Sequence, residues 1–348
     1  MTLSYAVIGT GAIGGYYGGR LAEAGCDVHF LLRSDYAHVK AHGLSVKSVE
    51  GDFSLPNVQA YDNPTDMPPV DVVLVCLKTT QNKHLPELLP PIKEGGAILP
   101  LQNGFGIESS IEQILKERLE DVPTIFGGLC FICASKVGAG RIEHIDYGRL
   151  LLGEYVPAVS SQFAPVDLLK AIAVDFNRAK IATDITNDLP MARWLKLVWN
   201  VPYNGLSVVL NATTAEMMAD SHVRELILAL MREVVAIANA WGAQNDSLAE
   251  KAAKEKDDEE TGFAEIDLES NVVERSLSDD IVEQMFEQTE TMPAYATSMK
   301  LDFDRKSPLE TDAIFRAPLE VAKALDVAAP AMTMLYQQLM FLDAQNRR

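Results

Sequence analysis

Two sets of residues in this sequence have types and spacing that can do chemistry: three glycines after an apolar run, and three polar side chains four residues apart. Gly9-Thr10-Gly11-Ala12-Ile13-Gly14 follows the apolar run 3–8 and opens a segment of helical composition, 12–24. Gly9 then allows the tight turn, Gly11 lets a pyrophosphate approach the backbone without a Cβ in the way, and Gly14 lets helix and strand pack closely. The helix dipole and the free first-turn N–H groups favour the anion. A ligand-free turn is the alternative, and the strand-loop-helix context favours a dinucleotide. Lys196, Asn200 and Asn204 would share one helix face amid Leu197, Val198, Trp199 and Val201. Asparagine is a mediocre helix former, so two on one face ask for a reason beyond an incidental polar strip.

The second apolar run, 28–32, leads into Arg33-Ser34, where NAD-preferring proteins place an Asp or Glu on the ribose 2′-hydroxyl. A cation pairs with a 2′-phosphate instead, so NADP(H) is the cofactor expected; a surface Arg33 in a solvent salt bridge is the alternative. Ligands of an open α/β sheet lie beyond the carboxyl ends of its strands. Run 70–77 delivers Lys78-Thr79-Thr80-Gln81 there, and run 97–101 delivers Gln102-Asn103-Gly104. Lys78, Gln81 and Asn103 are candidates on that ground, against a solvated lysine and a turn asparagine preceding glycine.

Such residues need a scaffold that alternates strands with helices. Runs 3–8, 28–32, 70–77, 97–101, 124–131 and 149–153 read as strands, with 12–24, 85–92 and 107–118 as helices, implying a parallel, doubly wound Rossmann-type α/β domain over 1–185. Residues 186–348 read as an all-helical domain. Val223, Leu226, Ile227, Leu230, Met231, Val234 and Val235 form the buried stripe of a long helix that Gly242 should end. Two more helices are expected at 313–325 and 331–344, and Pro202 should kink the helix that carries Lys196.

With 348 residues, 48% of them apolar, the chain is long enough for two cores. A net charge of −19 argues against a nucleic-acid partner, which needs clustered Lys and Arg. The stretch 243–290 holds sixteen acidic and four basic residues, −12 of that total, and reads as an acidic insertion. Neither a leader nor an uncharged apolar run of about 18 residues is legible, so a cytoplasmic protein with no membrane partner is expected. Cys26, Cys76, Cys130 and Cys133 read as reduced thiols. Cys130-x-x-Cys133 has no second pair at zinc spacing, so no metal is expected.

Taken together, Gly9-x-Gly11-x-x-Gly14, Leu77-Lys78-Thr79, Gln102-Asn103-Gly104, Trp194-x-Lys196-Leu197-x-x-Asn200-x-x-x-Asn204, Thr297-Ser298-Met299 and Pro308-x-Glu310 resemble ketopantoate reductase, in order and over nearly the whole chain. The resemblance implies NADPH-dependent reduction of 2-dehydropantoate to (R)-pantoate on a Rossmann domain followed by a helical domain. It implies Lys196 as general acid, and Lys78 and Asn103 lining the nicotinamide and substrate. Asn200, Asn204 and Ser298 would hold the substrate's hydroxyl and carboxylate, with Glu310 positioning substrate and Lys196. The chemistry agrees: hydride addition builds negative charge on the carbonyl oxygen, which an ammonium stabilises and protonates. Glu310, near a helix start, also reads as an acid favoured there by the dipole.

Two features depart from the family's pattern: the acidic insertion, and Ile314-Phe315-Arg316-Ala317-Pro318 in place of an Asn-Gly pair. Both bear on the substrate, leaving another 2-oxo acid open, as well as a non-catalytic NADP(H) sensor. The partners expected are a small-molecule 2-oxo acid and, as an open alternative, a second copy in a homodimer.

Overall fold

The structure, a computed structural model, describes residues 3–155, 166–253, 272–273, 275–278, 280–292 and 294–347. It divides into two compact units: Met1–Asn103 with Ile107–Leu189, and Gly104–Gly106 with Pro190–Arg348. The helical unit thus begins at Pro190, and three residues of the earlier chain belong to it.

The first unit runs β1 (Ser4–Ile8), α1 (Ala12–Glu23), β2 (Asp27–Leu31), α2 (Tyr36–His42), β3 (Leu44–Ser48), β4 (Phe53–Leu55), β5 (Gln59–Tyr61) and β6 (Val70–Val75). It continues with α3 (Leu85–Leu88), β7 (Ile92–Pro100), α4 (Ile107–Lys116), β8 (Thr124–Gly138), β9 (Arg141–Glu154), α5 (Val166–Arg178) and β10 (Thr183–Thr186). Strands β5, β2, β1, β6, β7 and β8 lie side by side and parallel, with β1 at the centre. Residues of β1 and β6 are buried almost without exception, as a strand covered on both faces must be.

Two expectations are corrected here. The sheet is mixed rather than wholly parallel, because β8 and β9 form a long antiparallel hairpin and β3 pairs antiparallel with β4. After Gly138 the chain reverses within two residues, with Gly140 at φ 62°, so no crossover helix intervenes. The outer hairpin alternates weakly between polar and apolar residues, which is why only its two apolar ends, 124–131 and 149–153, read as strands. The helix expected at 85–92 is one turn long: Pro90 and Pro91 stop it, and Ile92 already belongs to β7.

The second unit contains α6 (Leu189–Val209), α7 (Thr214–Ala219), α8 (Ser221–Ala253), the short strands β11 (Val272–Val273) and β12 (Ser276–Leu277), α9 (Ile281–Thr291) and α10 (Ser298–Asp304). A π turn over Asp312–Arg316 leads into α11 (Ala317–Ala324), and α12 (Pro330–Asn346) follows. Pro202 lies inside α6, whose helical backbone continues through it. The carboxylate of Glu233 on α8 accepts the N–H groups of Ala331 and Met332 at 2.9 and 2.8 Å, capping α12 where Pro330 starts it.

Helix α8 does not end at Gly242. Ile227, Leu230, Met231, Val234, Ile237 and Ala238 continue its buried stripe, and the helix runs on to Ala253. Over Ser221–Asn245 it is long and apolar enough to cross a membrane by composition alone, yet that stripe is packed into the core of the unit. Gly242 serves a close approach: a Cβ there would lie 1.7 Å from the carbonyl oxygen of Arg275, in the β11–β12 hairpin. Asn239 holds the same hairpin by accepting from Leu277 N at 2.7 Å and donating to its carbonyl at 3.2 Å. Of the acidic stretch 243–290, residues 254–271, 274 and 279 lie outside the described residues.

Helix propensity alone would make Gly242→Ala stabilising by about 1 kcal/mol. The Arg275 contact reverses the sign, and a loss of about 1–3 kcal/mol is expected in urea denaturation. A gain would show that the hairpin does not rest on Gly242.

Candidate active site

The glycine loop is built for a close backbone crossing on one side and an anion on the other. Gly9 has φ 94°, and a Cβ on it would lie 2.7 Å from Leu77 N and 2.8 Å from Cys76 C. A Cβ on Gly14 would lie 2.4 Å from Gly9 O, so only glycine lets α1 start this close to β1. Gly11 is different: a Cβ there would meet nothing within 4 Å, and it caps α1 with no side-chain hydrogen bond. The Thr10 hydroxyl donates to Leu31 O at 3.2 Å, tying the loop to β2, while Ala12 and Ile13 are half-buried in the first turn. An uncapped helix start bordered by open space fits a pyrophosphate.

Beyond β2, Arg33 and Ser34 are exposed, and the Arg33 guanidinium forms no ion pair among the described residues. The nearby acid, Asp35, turns inward. Its carboxylate takes Lys136 Nζ at 2.6 Å and Gly140 N at 3.1 Å. Burial alone would raise this carboxyl, but the Lys136 ammonium, the Gly140 N–H and the Ser34 hydroxyl hold it below the usual carboxylate range. Asp35 is therefore occupied, and Arg33 is the charged side chain left facing solvent at this strand end. That arrangement fits a 2′-phosphate better than a bare ribose.

Lys78 caps a 3-10 turn over Thr79–His84, and Gln81 N donates back to its carbonyl at 2.8 Å. Lys78, Gln81 and Asn103 are all half-buried. What joins the ends of β6 and β7 is a pair of amides that sequence reasoning did not single out. Gln102 Nε2 donates to Leu77 O and to Asn82 Oδ1, each at 2.7 Å, and Asn82 Nδ2 returns a bond to Gln102 Oε1 at 3.0 Å. Both side chains are buried, so Lys78 and Asn103 project from a braced platform. Gln102 was visible as part of a motif; Asn82 carried no signal.

In the helical unit, α6 carries Lys196, Asn200 and Asn204 at four-residue spacing, Lys196 half-buried and both asparagines buried. Asn204 Oδ1 accepts from Met299 N at 3.3 Å and from the Ser298 hydroxyl at 3.5 Å, which brings Ser298 to this face. Thr297, fully buried, sets that corner: its hydroxyl caps α10 through Lys300 N at 3.2 Å and meets Ser207 Oγ at 2.7 Å. Asn200 is 5% exposed, and its Nδ2 finds no acceptor among the described residues. Glu310 is buried two residues ahead of the π turn. Arg193, one turn before Lys196, is a buried cation that sequence reasoning passed over.

All four cysteines are free, and burial pushes Cys133 up to about 12 and holds Cys76 well above its ordinary value. Among the described residues no three His, Cys, Asp or Glu side chains are grouped to hold a metal ion.

A Rossmann-type unit with an anion-ready glycine loop, followed by a helical unit with a polar helix face, defines a nucleotide-dependent oxidoreductase of the two-domain kind. The model of the ketopantoate reductase PanE/ApbA family matches residues 5–157, and that of its C-terminal domain matches residues 188–343. The chain belongs to the ketopantoate reductase family. It is 46% identical over 344 residues to a 2-dehydropantoate 2-reductase of Nostoc sp., covering 99% of this chain and 96% of the relative. The crystal structure of a 2-dehydropantoate 2-reductase from Geobacter metallireducens superposes with a TM-score of 0.80 at 35% identity, covering 97% of this chain and 99% of that one. A dimeric ketopantoate reductase from Staphylococcus aureus shares the fold at a TM-score of 0.66 and 18% identity, covering 99% and 100%.

Replacing Arg33 by Ala should raise KM for NADPH by roughly tenfold or more, the scale of a lost charge-assisted contact, and leave KM for NADH nearly unchanged. An unaltered ratio of the two constants would remove Arg33 from the cofactor site.

Proposed function

We propose that the chain reduces 2-dehydropantoate to (R)-pantoate with NADPH, with Lys196 as the general acid. One observation carries the chemistry: α6 presents an ammonium and two buried carboxamides on one face, and the Nδ2 of Asn200 has no acceptor among the described residues. A buried donor without a partner is costly in the free protein and is satisfied when a ligand oxygen arrives. The substrate assignment is supported by the name of the 46%-identical relative, which matches this chain over nearly its full length.

The first unit binds the cofactor: the first-turn N–H groups of α1 hold the pyrophosphate, Arg33 the 2′-phosphate, and Lys78, Gln81 and Asn103 line the nicotinamide side. NADPH, when bound, supplies the hydride. Asn200, Asn204 and Ser298 hold the substrate's hydroxyl and carboxylate, and Glu310 orients substrate and Lys196. As charge grows on the ketone oxygen, the Lys196 ammonium stabilises it and passes its proton to that oxygen, leaving a secondary alcohol and a neutral amine that regains a proton from water. Lys196 suits this because its helix is rigid: Trp194, Leu195, Leu197 and Val198 beside it are at most 1% exposed.

A cytoplasmic site of action is supported by four free thiols, which an oxidising compartment would not preserve. A second copy of the chain is the macromolecular partner we propose, as in the dimeric relative from Staphylococcus aureus.

Loss of NADPH absorbance against a panel of 2-oxo acids tests the reading, with 2-dehydropantoate expected to give the highest kcat/KM. A better acid elsewhere in the panel would reassign the substrate, and tight NADPH binding with no turnover would favour a sensor. Lys196→Ala should lower kcat by roughly 100-fold or more, and near-normal turnover would exclude Lys196 as the acid.

A further inference from the structure

Pro318 leaves one carbonyl of the helical unit without a donor of its own, and the backbone of Phe105 takes it. In the π turn over Asp312–Arg316, hydrogen bonds run from residue i+5 to residue i, and Ala317 N donates to Asp312 O. For Ala313 the donor at that spacing would be residue 318, a proline with no N–H, and Ala317 is committed to Asp312. Ala313 O accepts the N–H of Phe105 instead, at 2.9 Å.

Three more contacts inside the same unit hold this segment. Arg193 Nη1 donates to Gly104 O at 3.2 Å from a guanidinium that is 3% exposed. The Phe105 ring centroid lies 4.3 Å from that of Trp194 and 5.8 Å, edge-on, from that of Trp241. Gly104 has φ 114°, and a Cβ on it would lie 2.6 Å from Ala313 Cβ and 2.7 Å from Ala313 O. A backbone hydrogen bond, a buried cation on a carbonyl and an aromatic sandwich thus converge on two residues. The next residue back along the chain is Asn103.

We infer that Pro318 and the π turn form a latch: the released Ala313 carbonyl fixes the Gly104–Phe105 backbone, and with it the point from which Asn103 projects toward the reaction. Arg193, Gly104, Phe105 and Pro318 are positioning residues in this scheme. The inference rests on the proposed reduction, in which Asn103 lines the nicotinamide and substrate. Displacing a substrate-lining group by about 1 Å can cost on the order of 100-fold in rate, so a latch on the adjacent backbone has leverage.

Pro318→Ala tests the latch by restoring an N–H that competes with Phe105 for Ala313 O, and Arg193→Gln tests it independently by removing the bond to Gly104 O. The full-length variants would be compared with wild type by amide hydrogen exchange at Phe105, kcat with 2-dehydropantoate, fluorescence-detected Kd for NADPH, and Tm. Faster exchange at Phe105, about tenfold, with kcat lowered about tenfold and NADPH affinity and Tm retained, is the expected result. Unchanged exchange in both variants overturns the latch, and so does faster exchange with unchanged kcat. Should Pro318→Ala not fold, Arg193→Gln still decides between these outcomes. A wild type that oxidises NADPH with no 2-oxo acid overturns the proposed function instead, and the exchange rate alone then decides whether the latch exists.

Discussion

A polar strip inside a helix that is otherwise core costs free energy unless each of its groups finds a partner. Helix α6 carries that burden for the second unit. Trp194, Leu195, Leu197, Val198, Val201 and Tyr203 are at most 1% exposed, and among them run Lys196, Asn200 and Asn204. Asn204 is satisfied by the start of α10, which is in turn capped by Thr297. Among the described residues Asn200 is left with an unpaired donor, a deficit of about 1–3 kcal/mol on the usual scale for a buried orphan. The apolar contacts around it offset that cost, and the helix continues through Pro202. On the proposed function, the ligand completes what the fold leaves open.

Close backbone approach is the second device on which both units depend. Gly14 lets α1 begin against β1 and Gly9, and Gly242 admits the carbonyl of Arg275 against α8. At each point a side chain would collide with main chain, which cannot move aside as a flexible side chain can. The same glycine signal therefore has opposite readings in sequence. After a strand it opens a nucleotide loop, whereas in a helix it can mark a stop or a crossing. Periodicity cannot separate the last two, because the stripe from Ile227 to Ala238 carries on whichever holds.

This bears on how much could be read from residues alone. The glycine turn ahead of α1, the exposed Arg33 after β2 and the polar face of α6 were legible because each depends on local sequence. The β8–β9 hairpin was not, since its outer half alternates only weakly and its turn is two residues long. The Asn82–Gln102 pair was invisible for a different reason: its members stand twenty positions apart and meet only because β6 and β7 are neighbours. Arg193 went unread because a charged residue in a helix reads as surface until the packing around it is known.

The packing also gives part of the segment 314–318 a place in the core of the helical unit. Phe315, in the segment 314–318, is fully buried. A Cβ on Gly205 of α6 would lie 3.0 Å from Phe315 Cζ and 2.6 Å from Leu335 Cδ2, so the ring fills space behind Asn204. Phe315 and Leu335 thus back α6 closely beside Asn204, at the position of Gly205. The buried ring therefore bears on how firmly α6 is supported from behind.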